Sequence, residues 1–194
     1  MNRVIIAHGW EGYPKEGWFP WLKRELEAKG FAVEVPQLPD TTNPRIEPWV
    51  KALATATGTP DRATYFVGHS MGCQTIARYL TSLPANLVVG GAVFVAGFFR
   101  RLTGLEAEQG VQETDRHWLG TPLDLVAVRQ HLAASVAIFS TNDPFVPLDN
   151  VADFEHILGA KIIILPERGH FSGSNGCTEL PEVRDAIFEL AQGV

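Results

Sequence analysis

Ser70, Asp143 and His170 lie far apart in the chain, yet each occupies a setting suited to nucleophilic chemistry on a carbonyl. Ser70 is the centre of Gly68-His69-Ser70-Met71-Gly72, between the apolar run Thr64-Tyr65-Phe66-Val67 and a helical pattern that starts at Met71. A serine on such a strand-to-helix turn is held with its hydroxyl exposed at the C-terminal edge of a sheet. The flanking glycines let strand and helix approach more closely than side chains allow. A serine hydroxyl is a weak nucleophile until a base takes its proton. In this arrangement the acid and then the base follow the serine, each in a loop after a strand. Thr141-Asn142-Asp143-Pro144 turns away from one apolar run, and Pro166-Glu167-Arg168-Gly169-His170-Phe171 follows the last one. The expected roles are nucleophile for Ser70, base for His170 and orienting acid for Asp143.

Taken singly, each partner has a plainer reading. An aspartate before proline commonly caps its own turn, and a loop histidine is commonly solvated. Asp149 and Asp153 are rival acids, but Asp149 stands at the start of a helical pattern and reads as an N-cap. His117, His131 and His156 fall in a long connection or on helical patterns, while His8 and His69 precede or adjoin the serine. The chain order and the strand-end positions together favour Asp143 and His170. The Met71 N–H, first in its helix, points to where an oxyanion would form. A second donor is expected from the loop after the first strand, His8-Gly9-Trp10-Glu11-Gly12, with the Trp10 N–H ahead of the Glu11 N–H. Trp118, Phe145 and Phe98 are expected to wall an apolar acyl pocket, Trp118 foremost, whereas Trp18 and Trp21 read as core because of their helical spacing.

The elements that must position these residues are legible as alternating strand and helix patterns. Strands are expected at residues 4–7, 32–35, 64–67, 91–95, 136–140 and 161–165, mostly as unbroken Val/Ile/Phe/Ala runs of the kind buried on both faces. Helices are expected at 18–29, 48–56, 71–83, 149–158 and 181–192, the last opened by Pro181. Such repeats imply a mostly parallel sheet of about six strands with helices on both faces. The chain of 194 residues fits one domain. A short cap-like insertion is expected at about 98–132, where Gly104, Gly110, Gly120 and Pro122 accompany Trp118 and Leu119.

Composition narrows the function classes. With 45% hydrophobic and 20% charged residues the chain is ordinary for a globular protein, and its net charge of -6 offers no pull toward nucleic acid or anionic membranes. No run approaches the ~20 apolar residues that cross a bilayer. Cys73 and Cys177 show neither metal-ligand spacing nor a disulfide framework, so a cytoplasmic protein without metal or organic cofactor is expected.

The chain resembles the small α/β-hydrolases related to the retinoblastoma-binding serine hydrolase and its bacterial counterparts. The resemblance rests on Gly17-Trp18-Phe19-Pro20-Trp21-Leu22-Lys23, Leu38-Pro39-Asp40, Trp49, Gly68–Gly72, Thr141-Asn142-Asp143-Pro144-Phe145-Val146-Pro147 and Gly169-His170-Phe171. It implies an α/β-hydrolase fold and esterase- or peptidase-like activity, with Ser70, Asp143 and His170 in the roles above. The Leu-x-Cys-x-Glu sequence associated with pocket-protein binding is missing around both cysteines, so no such partner is expected. The expected reaction is cleavage of a small ester or amide through an acyl-enzyme on a small-molecule acyl substrate. The alternatives are a thioesterase or acyltransferase on the same triad, or a binding protein of low turnover that keeps the fold.

Overall fold

The computed structural model describes residues 1–104 and 111–193. Six strands, β1 (Arg3–Ala7), β2 (Ala32–Glu34), β3 (Thr64–His69), β4 (Gly91–Val95), β5 (Ser135–Ser140) and β6 (Lys161–Leu165), form one sheet in the order β2-β1-β3-β4-β5-β6. Every pairing is parallel. The central strands β3, β4 and β5 are buried along their whole length, which is why they read as unbroken apolar runs.

Among the described residues, six α-helices accompany the sheet: α1 (Phe19–Glu27), α2 (Ile46–Thr57), α3 (Met71–Thr81), α4 (Val111–Gly120), α5 (Leu125–Gln130) and α6 (Pro181–Gln192). Helix α1 packs with α6, while α3 packs with α2 and α5. Parallel strands need crossovers of a dozen or more residues, and α1, α2, α3 and α6 pack on the sheet as the chain returns. Helix α1 shows the pattern: Phe19, Trp21, Leu22 and Leu26 are buried and the positions between them face out.

The chain runs from β1 to β2 on one side and then starts β3 on the other side of β1. The β1–β3 boundary is therefore a switch point, and the crevice beyond the strand ends there is where open α/β sheets bind ligands. Ala7 pairs with Gly68, so the loop after β1 and the turn after β3 emerge side by side.

Two expectations need correction. The stretch expected as a helix at 149–158 is helical, but not as a regular α-helix: a 3-10 turn at Leu148–Asn150 runs through Val151 and Ala152 into a π-type turn at Asp153–Ile157. Buried Asn150 accepts from the Phe99 and Arg100 N–H groups and donates to the Arg101 and Pro147 carbonyls, which ties this stretch to the chain after β4. Asp149 is accordingly no N-cap, and its carboxylate pairs with Arg101 at 2.7 Å. Within the expected insertion, α4 and α5 are present, while residues 105–110, Gly110 among them, lie outside the described residues. Among the described residues no helix is long and apolar enough to cross a membrane.

Candidate active site

Ser70 sits between β3 and α3 with φ 53° and ψ -120°, a left-handed conformation that is costly for a residue with a Cβ. Its neighbours explain how the turn is held. A Cβ on Gly72 would lie 2.1 Å from the Ala7 carbonyl oxygen, and one on Gly68 would lie 2.9 Å from the Cys73 Cα. The helix therefore starts against the backbone of β1 and of the loop after it. The Ser70 N–H donates to the Val95 carbonyl at 2.9 Å, so the turn is also tied to β4.

Two N–H groups close to Ser70 in the fold remain without a partner. Among the described residues, no hydrogen bond uses the N–H of Met71 or of Trp10. Glu11 differs, because its N–H donates to the Thr41 carbonyl at 2.9 Å and so is already engaged. Gly9 stands where a Cβ would come within 3.1 Å of the Ser70 Cβ, which brings the loop after β1 directly against the serine.

Asp143 and His170 are brought together. The His170 Nδ1 lies 2.8 Å from Asp143 Oδ2 and 3.0 Å from Oδ1. The same carboxylate accepts from the Phe145 and Val146 N–H groups at 2.9 and 3.0 Å, which fixes its plane. With the Asp143 side chain only 2% exposed and the His170 side chain 12%, water competes little for this pair. A carboxylate at Nδ1 holds the neutral ring in the Nδ1–H tautomer and leaves the Nε2 lone pair free. Ser70 and His170 line one cavity of about 640 Å³. Among the described residues, the Ser70 hydroxyl makes no hydrogen bond and His170 Nε2 makes none, so serine and imidazole share the cavity without a direct bond. Bonds of this kind often tighten only when substrate is present.

Trp10, Phe98 and Phe145 line the cavity, with Leu102 extending its apolar side. Trp118 does not, and the expectation that it walls an acyl pocket is corrected. It is fully buried, donates its indole N–H to the Pro44 carbonyl at 3.0 Å and meets Trp49 edge-on at 5.6 Å between ring centroids. It is the inner face of α4, and a ring of that size packed against α2 contributes core rather than pocket. Trp18 and Trp21 are core, as their spacing predicts.

Several residues around the cavity carry no motif signal. Glu16 and Glu113 line it together with Glu11, so three acidic residues border the cavity. Burial pushes the Glu16 carboxyl above its ordinary range, against the opposing effects of the Gly173 N–H and of His170. His69 is buried under the site, and burial, followed by repulsion from His170, pushes its pKa down to about 3. Burial also lowers His8, whose Nε2 accepts from the Leu38 N–H at 3.1 Å. Cys73 is a buried free thiol that burial holds in its neutral form. Among the described residues, no group of three or more His, Cys, Asp or Glu side chains is placed to hold a metal ion.

A family model described as serine hydrolase matches residues 4–189. The YdeN protein of Bacillus subtilis (strain 168) is 31% identical over 186 residues, covering 96% of this chain and 94% of that protein. The crystal structure of the ydeN gene product covers 99% of this chain and 100% of its own, with a TM-score of 0.88. The rat serine hydrolase RBBP9 is 24% identical over 172 residues, spanning 88% of this chain and 87% of its own. A carboxylesterase structure from Nitrososphaera gargenis shares the fold at a TM-score of 0.72 and 12% identity, covering all of this chain and 92% of its own.

Proposed function

The chain belongs to the serine hydrolase family, and we propose that it cleaves small esters or amides through Ser70, His170 and Asp143 by way of an acyl-enzyme. The observation that carries the reading is the His170–Asp143 bond of 2.8 Å beside a serine held at φ 53° in the same cavity. Ser70 Oγ attacks the carbonyl carbon while its proton passes to His170 Nε2. The negative charge moves to the carbonyl oxygen, where the Met71 and Trp10 N–H groups donate to it. His170 then gives its proton to the leaving oxygen or nitrogen, the carbon–leaving-group bond breaks, and the acyl group stays on Ser70. Water attacks in turn, loses a proton to His170, and releases the acid with Ser70 restored. Asp143 keeps the ring in the tautomer that can accept at Nε2 and stabilises the imidazolium.

The cavity suggests the substrate class. Phe98, Leu102 and Phe145 suit a short apolar acyl group, and Glu11, Glu16 and Glu113 disfavour a second negative charge beside it. A fluorophosphonate probe and a short p-nitrophenyl ester test the reading. Ser70→Ala is expected to abolish labelling and turnover, and Asp143→Asn to lower kcat by about 10⁴ with the protein still folded. Labelling retained by Ser70→Ala would remove Ser70 from the mechanism.

A further inference from the structure

The turn that carries His170 does not hold its own shape. Between Glu167 and Phe171 the backbone takes positive φ at Glu167, Gly169 and Phe171, with values of 51°, 55° and 56°. Only one bond within the turn is present, from the Phe171 N–H to the Arg168 carbonyl at 3.2 Å. Left-handed conformations at residues with a Cβ persist where the surroundings over-determine them, so the support must come from outside.

Most of that support comes from the turn that bears the acid. Thr141 Oγ1 accepts from the Glu167 N–H at 3.1 Å, Ser140 Oγ from the Arg168 N–H at 2.9 Å, and Asn142 Oδ1 from the Gly169 N–H at 2.8 Å. With Asp143 on the His170 ring, four consecutive side chains of one turn grip four residues of the other. Asn175 Oδ1 takes the His170 N–H, and the indole N–H of Trp18 donates to the Phe171 carbonyl at 3.0 Å. These bonds register the base on the acid. None of them reaches the serine.

One side chain does make that link. His69 Nε2 lies 2.7 Å from the His170 carbonyl oxygen, across 101 positions of sequence, and His69 is the residue directly before Ser70. Its ring is boxed edge-on by Trp18 and Phe19 at 6.1 and 6.2 Å and sits 5.0 Å from the His170 ring. We infer that His69 is a positioning residue, whose hydrogen bond to the His170 carbonyl sets where the acid–base pair stands relative to Ser70. A carbonyl can only accept, so His69 must carry its proton on Nε2. Its depressed pKa keeps it neutral and avoids placing a second cation beside the imidazolium that forms on His170. The inference rests on the proposed roles of Ser70 and His170.

The test uses His69→Leu, which fills the volume without a donor, and His69→Gln, whose side-chain amide reaches the same carbonyl. Turnover of p-nitrophenyl acetate, the rate of fluorophosphonate labelling, thermal unfolding and the low-field proton resonance of the His170–Asp143 bond are measured on each. His69→Leu is expected to lose about 10²-fold in kcat and labelling rate, the scale of a small misplacement of a reacting group, with KM nearly unchanged. The low-field resonance should persist, because the grip between the acid and base turns is intact. His69→Gln should recover most of the lost rate. Wild-type kcat in a folded His69→Leu overturns the inference, as does a His69→Gln that unfolds like the wild type but is as slow as His69→Leu. Should neither variant fold, nitrogen-15 spectra of the wild type decide, since a His69 ring protonated on Nδ1 rather than Nε2 overturns the assignment. Labelling that survives in Ser70→Ala defeats the underlying mechanism instead, and the two failures are distinct.

Discussion

The Ser70 elbow and the His170 turn serve one cavity, but they are held in place differently. At the elbow the constraint is contact. Gly68 and Gly72 leave no room for a methyl group, and the strained Ser70 is caught between β1, β4 and the start of α3. At the base turn the constraint is a set of directed hydrogen bonds from Ser140, Thr141, Asn142, Asn175, Trp18 and His69. Close contact tolerates no change in volume, whereas a set of bonds, each worth about 1 kcal/mol net, can lose a member and keep the shape of the turn, His69 being the one whose loss shifts the turn relative to Ser70. The proposed nucleophile should therefore be brittle and the proposed base adjustable.

The sharpest way to break that contrast is to add one methyl group to each region. Gly72→Ala places a carbon 2.1 Å from a backbone oxygen, and only movement of β1 or α3 relieves it. A loss of more than about 4 kcal/mol is expected, or no soluble protein at all. At Gly169→Ala the new carbon meets the end of the Asn175 side chain, 2.8 Å from its Cγ, and the φ of 55° adds strain. Asn175 can swing aside, so about 1–2 kcal/mol is expected, the cost of one left-handed residue. Activity should fall further than stability, since Asn175 also holds the His170 N–H. Urea unfolding of both variants measures the difference, and equal losses would erase the distinction.

His69 belongs to the elbow strand yet bonds to the base turn, and it makes the contrast visible in pH. Its pKa is about 3 in the folded protein against an ordinary 6.5 when unfolded. The depressed value means that its neutral form is the one the fold holds. Stability is then fully present above pH 6.5 and falls as the pH drops from there toward 3, because the unfolded chain takes up a proton that the native state refuses. The slope is about 1.4 kcal/mol per pH unit for one such group. His170, Asp143 and His8 face it electrostatically, and buried His8 acts in the same direction. Comparing wild type with His69→Leu between pH 7.5 and 5 isolates the share of His69, expected at about 2 kcal/mol. Parallel stability curves would show that His69 takes up its second proton as readily in the folded state as in the unfolded one.

The same contrast decides what could be read without coordinates. The strand-end positions of Ser70, Asp143 and His170 are legible because each depends on a short local pattern, an apolar run followed by a turn. The crowding at Gly72 was implied by the elbow pattern. The side of a helix that faces inward is not a local property, and so Trp118, in a connection rich in glycine and proline, reads as pocket wall while packing on Trp49 as core. The stretch after Leu148 has the right spacing for a helix, but the bonds of Asn150 to residues 99–101 lie nearly fifty positions away. The contact between His69 and His170 spans about twice that distance, and nothing in Gly-His-Ser-Met-Gly indicates which way the histidine ring points.

The mildest test concerns the hydroxyls of the acid turn. Thr141 is exposed and accepts one N–H, from Glu167, so water can replace it when Thr141→Val removes the acceptor. A loss under about 1 kcal/mol and a kcat within about twofold of wild type are expected. Ser140 is buried, accepts from Arg168 and donates to Asn142, so Ser140→Ala should cost about 1–2 kcal/mol by leaving the Arg168 N–H poorly satisfied. If the two hydroxyls act as one grip on a strained turn, the double variant should lose at least about 0.5 kcal/mol more than the sum of the singles. Either bond alone can keep Glu167 in its left-handed conformation, while removal of both releases it. A strictly additive cycle would mean that the positive φ at Glu167 is held by the chain itself, and the turn would then resemble the elbow rather than differ from it.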